Sequence, residues 1–172
     1  MSEFKILSLP KMMAEAERLR ASGRRLVFTN GCFDLLHVGH VRYLRAARAL
    51  GEALLVALNG DQSVRALKGP TRPINTEADR AEVLAALGCV DYVTVFHEPR
   101  VTEVIRAVRP DIYAKGGDYT VESLDPAERG ALEEVGARVE ILGLVPGRST
   151  TAVIEKWGGT LHPAPNPAED VR

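Results

Sequence analysis

Two histidines stand three residues apart in the stretch TNGCFDLLHVGH, residues 29–40, with a glycine between them. His37 falls just before the helical pattern VRYLRAARAL, and His40 in its first turn. A helix N-terminus presents unpaired N–H groups and about half a positive charge, so it attracts phosphate. Two imidazoles there can donate to phosphate oxygens and stabilise negative charge as it develops. Gly39 has no side chain, so a bulky anion can approach the backbone closely. Gly31 permits a tight turn after the preceding apolar run, RRLVF. Asp34 suits an anion site only if it orients a substrate hydroxyl or a magnesium ion.

Other chemistries fit the stretch less well. A single histidine at a helix start is ordinarily a cap or a surface residue, and only the pair in this loop argues for more. Zinc needs more ligands than two histidines and Cys32 provide. Cys32 as a nucleophile would need a base and an orienting partner, whereas a thiol in a turn can simply fill it. The loop contains neither the G-x-x-x-x-G-K-[ST] phosphate loop nor the G-x-G-x-x-G dinucleotide fingerprint.

These residues have to be held by regular elements. Residues 10–22 carry apolar Met12, Met13, Ala16 and Leu19 at helical spacing and close at Gly23. The residue types predict strands at 25–29, 53–58, 91–96, 111–114 and 138–142. They predict helices at 38–50, 76–87, 99–108 and 126–135, and a last helix running to Trp157. The polar stretch NGDQSVRALKGPTRPIN, from Asn59, reads as a long irregular connection, and such loops tend to be functional. Strands alternating with helices at this spacing make βαβ units. The expected fold is α/β: a Rossmann-like, doubly wound, parallel five-stranded sheet with helices on both faces. Residues 1–157 are expected to form one domain, and residues 158–172, rich in Pro and Gly, a mobile tail. Ligands in such sheets bind outside the carboxyl ends of the strands. Residues 29–40, 59–68, His97, 115–119 and 147–151 all fall at such ends.

Composition narrows the partners. Among 172 residues, 22 Lys and Arg face 23 Asp and Glu, for a net charge of −1. A general nucleic-acid binder would show a basic excess, so none is expected as a partner. No apolar run approaches the ~18 residues that span a membrane, and the N-terminus lacks the apolar core of a signal peptide. Cys32 and Cys89 do not make a disulfide framework. The expectation is a cytoplasmic protein.

The motifs in combination resemble a known family. His37-Val38-Gly39-His40 resembles the H-x-G-H signature of the nucleotidyltransferase superfamily, and Ser149-Thr150-Thr151 its late Ser-Thr pair at a helix start. NGCFDLLHVGH, LKGPTRPIN, KGGDY and GRSTT, in that order, are similar to the adenylyltransferase domain of bacterial ADP-heptose synthases. The likeness runs from about residue 5 to 157.

The resemblance implies ATP and a sugar 1-phosphate, heptose 1-phosphate, as substrates, with Mg2+ held mainly by phosphates and not by direct protein ligation. It also implies a homodimer. The catalytic residues implied are His37, His40 and Lys68. Nucleotide binding falls to Thr29, Asn30, Gly31, Cys32, Phe33, Gly39, Gly117, Asp118, Arg148, Ser149, Thr150 and Thr151. Within that set, Cys32 and Phe33 act through main chain, Asp118 near the ribose, and residues 149–151 on the β- and γ-phosphates. The second substrate is assigned Asp34, Asn59, Arg72, Arg80 and Lys115. The alternatives are a glycerol-3-phosphate cytidylyltransferase and a non-catalytic nucleotide-binding module. The cytidylyltransferases carry an arginine where this chain has Leu144-Val145-Pro146, and they lack KGGDY in this form.

Overall fold

In the computed structural model, residues 3–117 and 119–143 are described. Asp118, Arg148, Ser149, Thr150, Thr151, the expected last helix and the tail lie outside the described residues.

A 3-10 turn at Glu3–Lys5 precedes the first helix. The elements then run α1 (Leu9–Ala21), β1 (Leu26–Gly31), α2 (Val38–Arg48), β2 (Ala53–Asn59), α3 (Asp61–Lys68), α4 (Glu77–Ala86), β3 (Tyr92–Phe96), α5 (Thr102–Val108), β4 (Ile112–Gly116), α6 (Pro126–Val135) and β5 (Arg138–Leu142). The five strands form one sheet in the order β3-β2-β1-β4-β5, and every pairing is parallel. The chain steps outward from β1 to β3, then returns to the other side of β1 for β4. The topological switch point therefore lies between β1 and β4, where a crevice opens at the carboxyl ends.

Strand periodicity assigns residues to faces. Leu26 and Phe28 of β1 and Ala53, Leu55 and Ala57 of β2 pack against α1, α5 and α6. Val27 of β1 and Leu54, Val56 and Leu58 of β2 pack against α2 and α4. Both faces are covered, so all seven residues of β2 are buried and the strand reads as a continuous apolar run. On α1, Met12, Ala16 and Leu19 are buried in the sheet-side core, whereas Met13 is exposed. Among the described residues no helix is long and apolar enough to cross a membrane.

The structure corrects one element. The connection after β2, expected to be irregular, contains the helix α3. Gly60 precedes it, Asp61 occupies its first turn, and Gly69 ends it at φ 98°, a conformation that glycine adopts without strain. Only Ser63 and Val64 of its eight residues are buried, so too short an apolar stripe exists to stand out in a polar sequence. Asn59 ties the helix to the sheet, its side-chain amide donating to Ser63 Oγ at 2.9 Å.

The strands also run further than expected at their carboxyl ends. β1 reaches Gly31, β2 reaches Asn59 and β4 reaches Gly116. Asn30, Asn59 and Lys115 thus sit on strands, where the pleat dictates which face each side chain takes.

Candidate active site

The β1–α2 turn is built around its aromatic and imidazole rings. Phe33 adopts φ 42°, unusual for a residue with a Cβ. This turns its ring back over Gly31, where an added Cβ would lie 2.9 Å from the ring. The edge of the same ring meets His40, with centroids 5.4 Å apart. His37 is the N-cap of α2, and its Nδ1 accepts the Gly39 N–H at 3.1 Å. His40 closes the cap in return, its Nδ1 accepting the His37 N–H at 3.3 Å. The two rings lie 3.9 Å apart, tilted by 31°.

This reciprocal cap answers why two histidines stand three apart. Each spends Nδ1 as an acceptor, so each neutral ring carries its proton on Nε2, a donor. Ser or Thr with Glu would cap the helix equally well, but would offer no such donors. Burial, then the neighbouring His37 ring, holds the His40 imidazole down to about 4, so it is neutral at pH 7. The pair therefore presents hydrogen-bond donors at a helix N-terminus.

Cys32 follows in the same turn. Burial pushes its thiol up, against the pull of Lys68 and Arg80, so it stays protonated and unreactive as a nucleophile. Lys68, the last residue of α3, is exposed and close enough to Cys32 to act on it electrostatically. Among the described residues it has no carboxylate partner, so its charge is left uncompensated at this edge.

Several residues expected to meet substrate also have protein partners. Asp34 is buried, and its carboxylate accepts Arg72 Nε at 2.5 Å, the Ile74 N–H at 2.8 Å and the Asn75 N–H at 3.1 Å. These hydrogen bonds and the Arg72 charge outweigh burial and hold Asp34 below the usual carboxylate range. Arg80, on α4, is 2% exposed, although flanking acids suggest an ordinary surface charge. It donates to the carbonyls of Cys32 and Asn75 at 2.5 and 3.0 Å and pairs with Asp61 at 2.9 Å. Together these contacts strap residues 72–75 and the start of α3 to the β1–α2 turn. Thr29 shares a 2.7 Å hydrogen bond with the hydroxyl of Tyr43, on α2, which donates in turn to the Ala114 carbonyl at 2.8 Å.

At the crevice between β1 and β4, Asn30 meets Lys115 on the sheet face that packs α6. Lys115 Nζ donates to Asn30 Oδ1 at 3.2 Å and to the Tyr113 hydroxyl at 3.1 Å, with Glu128 Oε2 of α6 at 3.8 Å. Gly117 follows at φ 119°.

The structure thus gathers His37, His40, Phe33, Cys32, Gly39, Lys68, Asn30 and Lys115 at one sheet edge. It gives Asp34, Asn59, Arg72, Arg80 and Thr29 partners within the scaffold. Sequence reasoning missed Tyr43, Tyr113, Asn75 and Glu128. Only Tyr113 carried a legible signal, because it sits two residues before Lys115 on one strand and so shares its face. It also left aside His97, whose ring sits over Gly60, with Nδ1 2.3 Å from where a Cβ would lie and 3.8 Å from Glu77.

Among the described residues, no group of three or more His, Cys, Asp or Glu is arranged to hold a metal ion.

Known proteins share this chain's pattern. The family described as cytidylyltransferase-like matches residues 28–156. The "Bifunctional protein HldE" of Syntrophotalea carbinolica is 56% identical over 142 residues, covering 83% of this chain and 28% of that protein. Its namesake in Pelobacter propionicus is 51% identical, covering 90% and 31%. The chain therefore spans less than a third of the length of these curated relatives. Among solved structures, a lipopolysaccharide core biosynthesis protein from Thermoplasma volcanium matches with a TM-score of 0.59 and 31% identity, covering 72% of this chain and 98% of that one.

Proposed function

This chain belongs to the cytidylyltransferase-like family, and we propose that it is an adenylyltransferase joining ATP to a sugar 1-phosphate, with heptose 1-phosphate as acceptor. The observation that carries this reading is the reciprocal His37–His40 cap, which commits both Nδ1 atoms and makes Nε2 of each neutral ring a donor at the start of α2. Likeness to a lipopolysaccharide core biosynthesis protein supports a sugar phosphate as acceptor. A cytoplasmic site of action and a homodimer belong to the same proposal.

The acceptor phosphate is an anion at neutral pH, so no general base is needed. One of its oxygens attacks the α-phosphorus of ATP in line. The new P–O bond forms as the bond to the β-phosphate bridge breaks, and the electron pair leaves with pyrophosphate. No covalent enzyme intermediate arises, in keeping with a Cys32 thiol held protonated. The chain's task is positioning and charge stabilisation. His37 and His40 donate to phosphate oxygens on which charge builds up, and Lys68 neutralises phosphate charge. Ser149, Thr150 and Thr151 are assigned to the β- and γ-phosphates. Magnesium, carried on the phosphates of ATP, would supply charge neutralisation for the leaving pyrophosphate.

The test is pyrophosphate release with magnesium, crossing ATP and CTP against heptose 1-phosphate and glycerol 3-phosphate. Release with ATP and heptose 1-phosphate alone is expected. Release with CTP and glycerol 3-phosphate alone would overturn both substrates, and silence in all four would overturn the activity.

A further inference from the structure

One cluster of buried and half-buried polar groups joins Asn30 and Lys115, expected to meet substrate, to Tyr113 and Glu128, which have no role in the mechanism above. On the face that packs α6, Lys115 and Tyr113 of β4, Asn30 of β1 and Glu128 of α6 meet at the switch point. The side chains of Lys115 and Glu128 are only 15% and 14% exposed, so an ion pair here is screened far less than one on the surface. The aromatic rings of Tyr113 and Tyr119 flank the ammonium, at 5.6 and 5.2 Å from their centroids.

Counting hydrogens shows what the cluster leaves over. The Tyr113 hydroxyl has one proton and two acceptors, Asn30 Oδ1 at 2.8 Å and Glu128 Oε2 at 3.1 Å. It accepts from Lys115. Burial, then the Glu128 charge, pushes the phenol well above its ordinary range, so it remains a donor. An ammonium has three hydrogens. Lys115 spends two, on Asn30 and Tyr113, and Glu128 at 3.8 Å is an ion pair beyond hydrogen-bond reach. The third hydrogen has no acceptor among the described residues. Cys32, in the turn that carries the histidines, interacts electrostatically with both lysines, Lys68 of α3 and Lys115 of β4. An in-line displacement has an entering and a leaving group on opposite sides of phosphorus, and each needs its own counter-charge.

Resting on the adenylyltransferase reading, we propose that Glu128, with Tyr113 and Asn30, is a positioning residue that holds the Lys115 ammonium at the crevice between β1 and β4 as the group that takes the acceptor's phosphate. Burial pulls the Lys115 ammonium down and Glu128 opposes it, so Glu128 keeps the charge in place. Among the described residues, the titratable groups facing Lys115 are Glu128 of α6, Tyr113 of β4, Tyr119 after it and Cys32 after β1, with Tyr43 of α2 acting on Tyr113. Glu128→Gln keeps the shape and removes the charge, leaving burial unopposed. Lys115 then loses its proton at lower pH.

The experiment compares wild type, Glu128→Gln, Tyr113→Phe and the double variant Lys115→Arg with Glu128→Gln, by pyrophosphate release from pH 6.5 to 9.5. In Glu128→Gln the KM for heptose 1-phosphate rises about tenfold at pH 9 relative to pH 7, beyond any change in wild type, while the KM for ATP stays put. Tyr113→Phe shifts the same KM in the same direction. The double variant, whose guanidinium does not titrate, loses the pH dependence. An unchanged acceptor KM and pH profile, or a rise in the ATP KM instead, overturns the proposal. Independently of turnover, the Lys115 Cε signal in a 13C-lysine NMR spectrum should titrate below the other lysines and move on adding heptose 1-phosphate. Silent turnover with that movement present rejects the adenylyltransferase reading and keeps the Lys115 site; a motionless signal rejects the site.

Discussion

The two ends of the sheet use charge differently. At the amino ends, carboxylates serve backbone. Asp111 Oδ2 accepts the Leu26 N–H at 2.7 Å, and Asp91 Oδ2 accepts the Leu54 N–H at 2.8 Å while pairing with Arg48 at 2.7 Å. Each carboxylate takes a backbone N–H near a strand start. At the carboxyl ends, imidazoles and lysines gather. Ion pairs at this end shape the turns, as in Asp34–Arg72 and Arg80–Asp61, and hold Lys115 beside Glu128. Imidazoles and lysines gather at one end because parallel strands send every βα turn, and the helix N-termini that follow, to that end. On the proposed function, the amino end serves stability and the carboxyl end binds anions.

The comparison breaks most directly at the histidines. His37→Ala or His40→Ala should cost ~2–4 kcal/mol of transition-state stabilisation, read as a fall in kcat of about 30- to 900-fold. Less than about tenfold for both variants would reduce the pair to a helix cap. The amino end should respond in the opposite sense. Asp91→Ala removes the acceptor of a strand N–H and one partner of Arg48, and should cost about 1–2 kcal/mol in urea unfolding with kcat unchanged. A drop in kcat at constant stability would show that the two ends are not separate.

A smaller effect sharpens the contrast through pH. His40 protonates near 6.5 when unfolded and at about 4 when folded, so the unfolded state binds the extra proton between those values. Its contribution to stability is complete above pH 6.5, declines as pH falls towards 4, and is flat below. Urea midpoints from pH 7 to 4 should drop more steeply in wild type than in His40→Gln, which has nothing to titrate. Parallel slopes would remove the buried imidazole from the account.

Legibility in the sequence followed range. The β–α alternation, the five strands and the helix carrying the histidine pair were readable because they rest on periodicities spanning a few residues. Helix α3 was missed because only Ser63 and Val64 of its residues are buried, and Asp61 and Lys68 make it look like loop. The protein partners of Asp34 and Arg80 were not legible, because a lone charge in a sequence carries no sign of its partner.

By itself, then, the sequence determined the five strands and the helices other than α3 among the described residues, that the sheet is parallel, and that a histidine pair opens α2. Those properties follow from φ/ψ preference, side-chain period and the dipole of a single helix, all local. The tertiary structure alone decided which charges are spent and which remain. Asp34 finds Arg72 38 residues away, Tyr113 finds Asn30 83 residues away, and Lys115 acquires its neighbours only when β4 returns beside β1. Such partnerships depend on burial and on which strands end up adjacent, and no short stretch of chain encodes either.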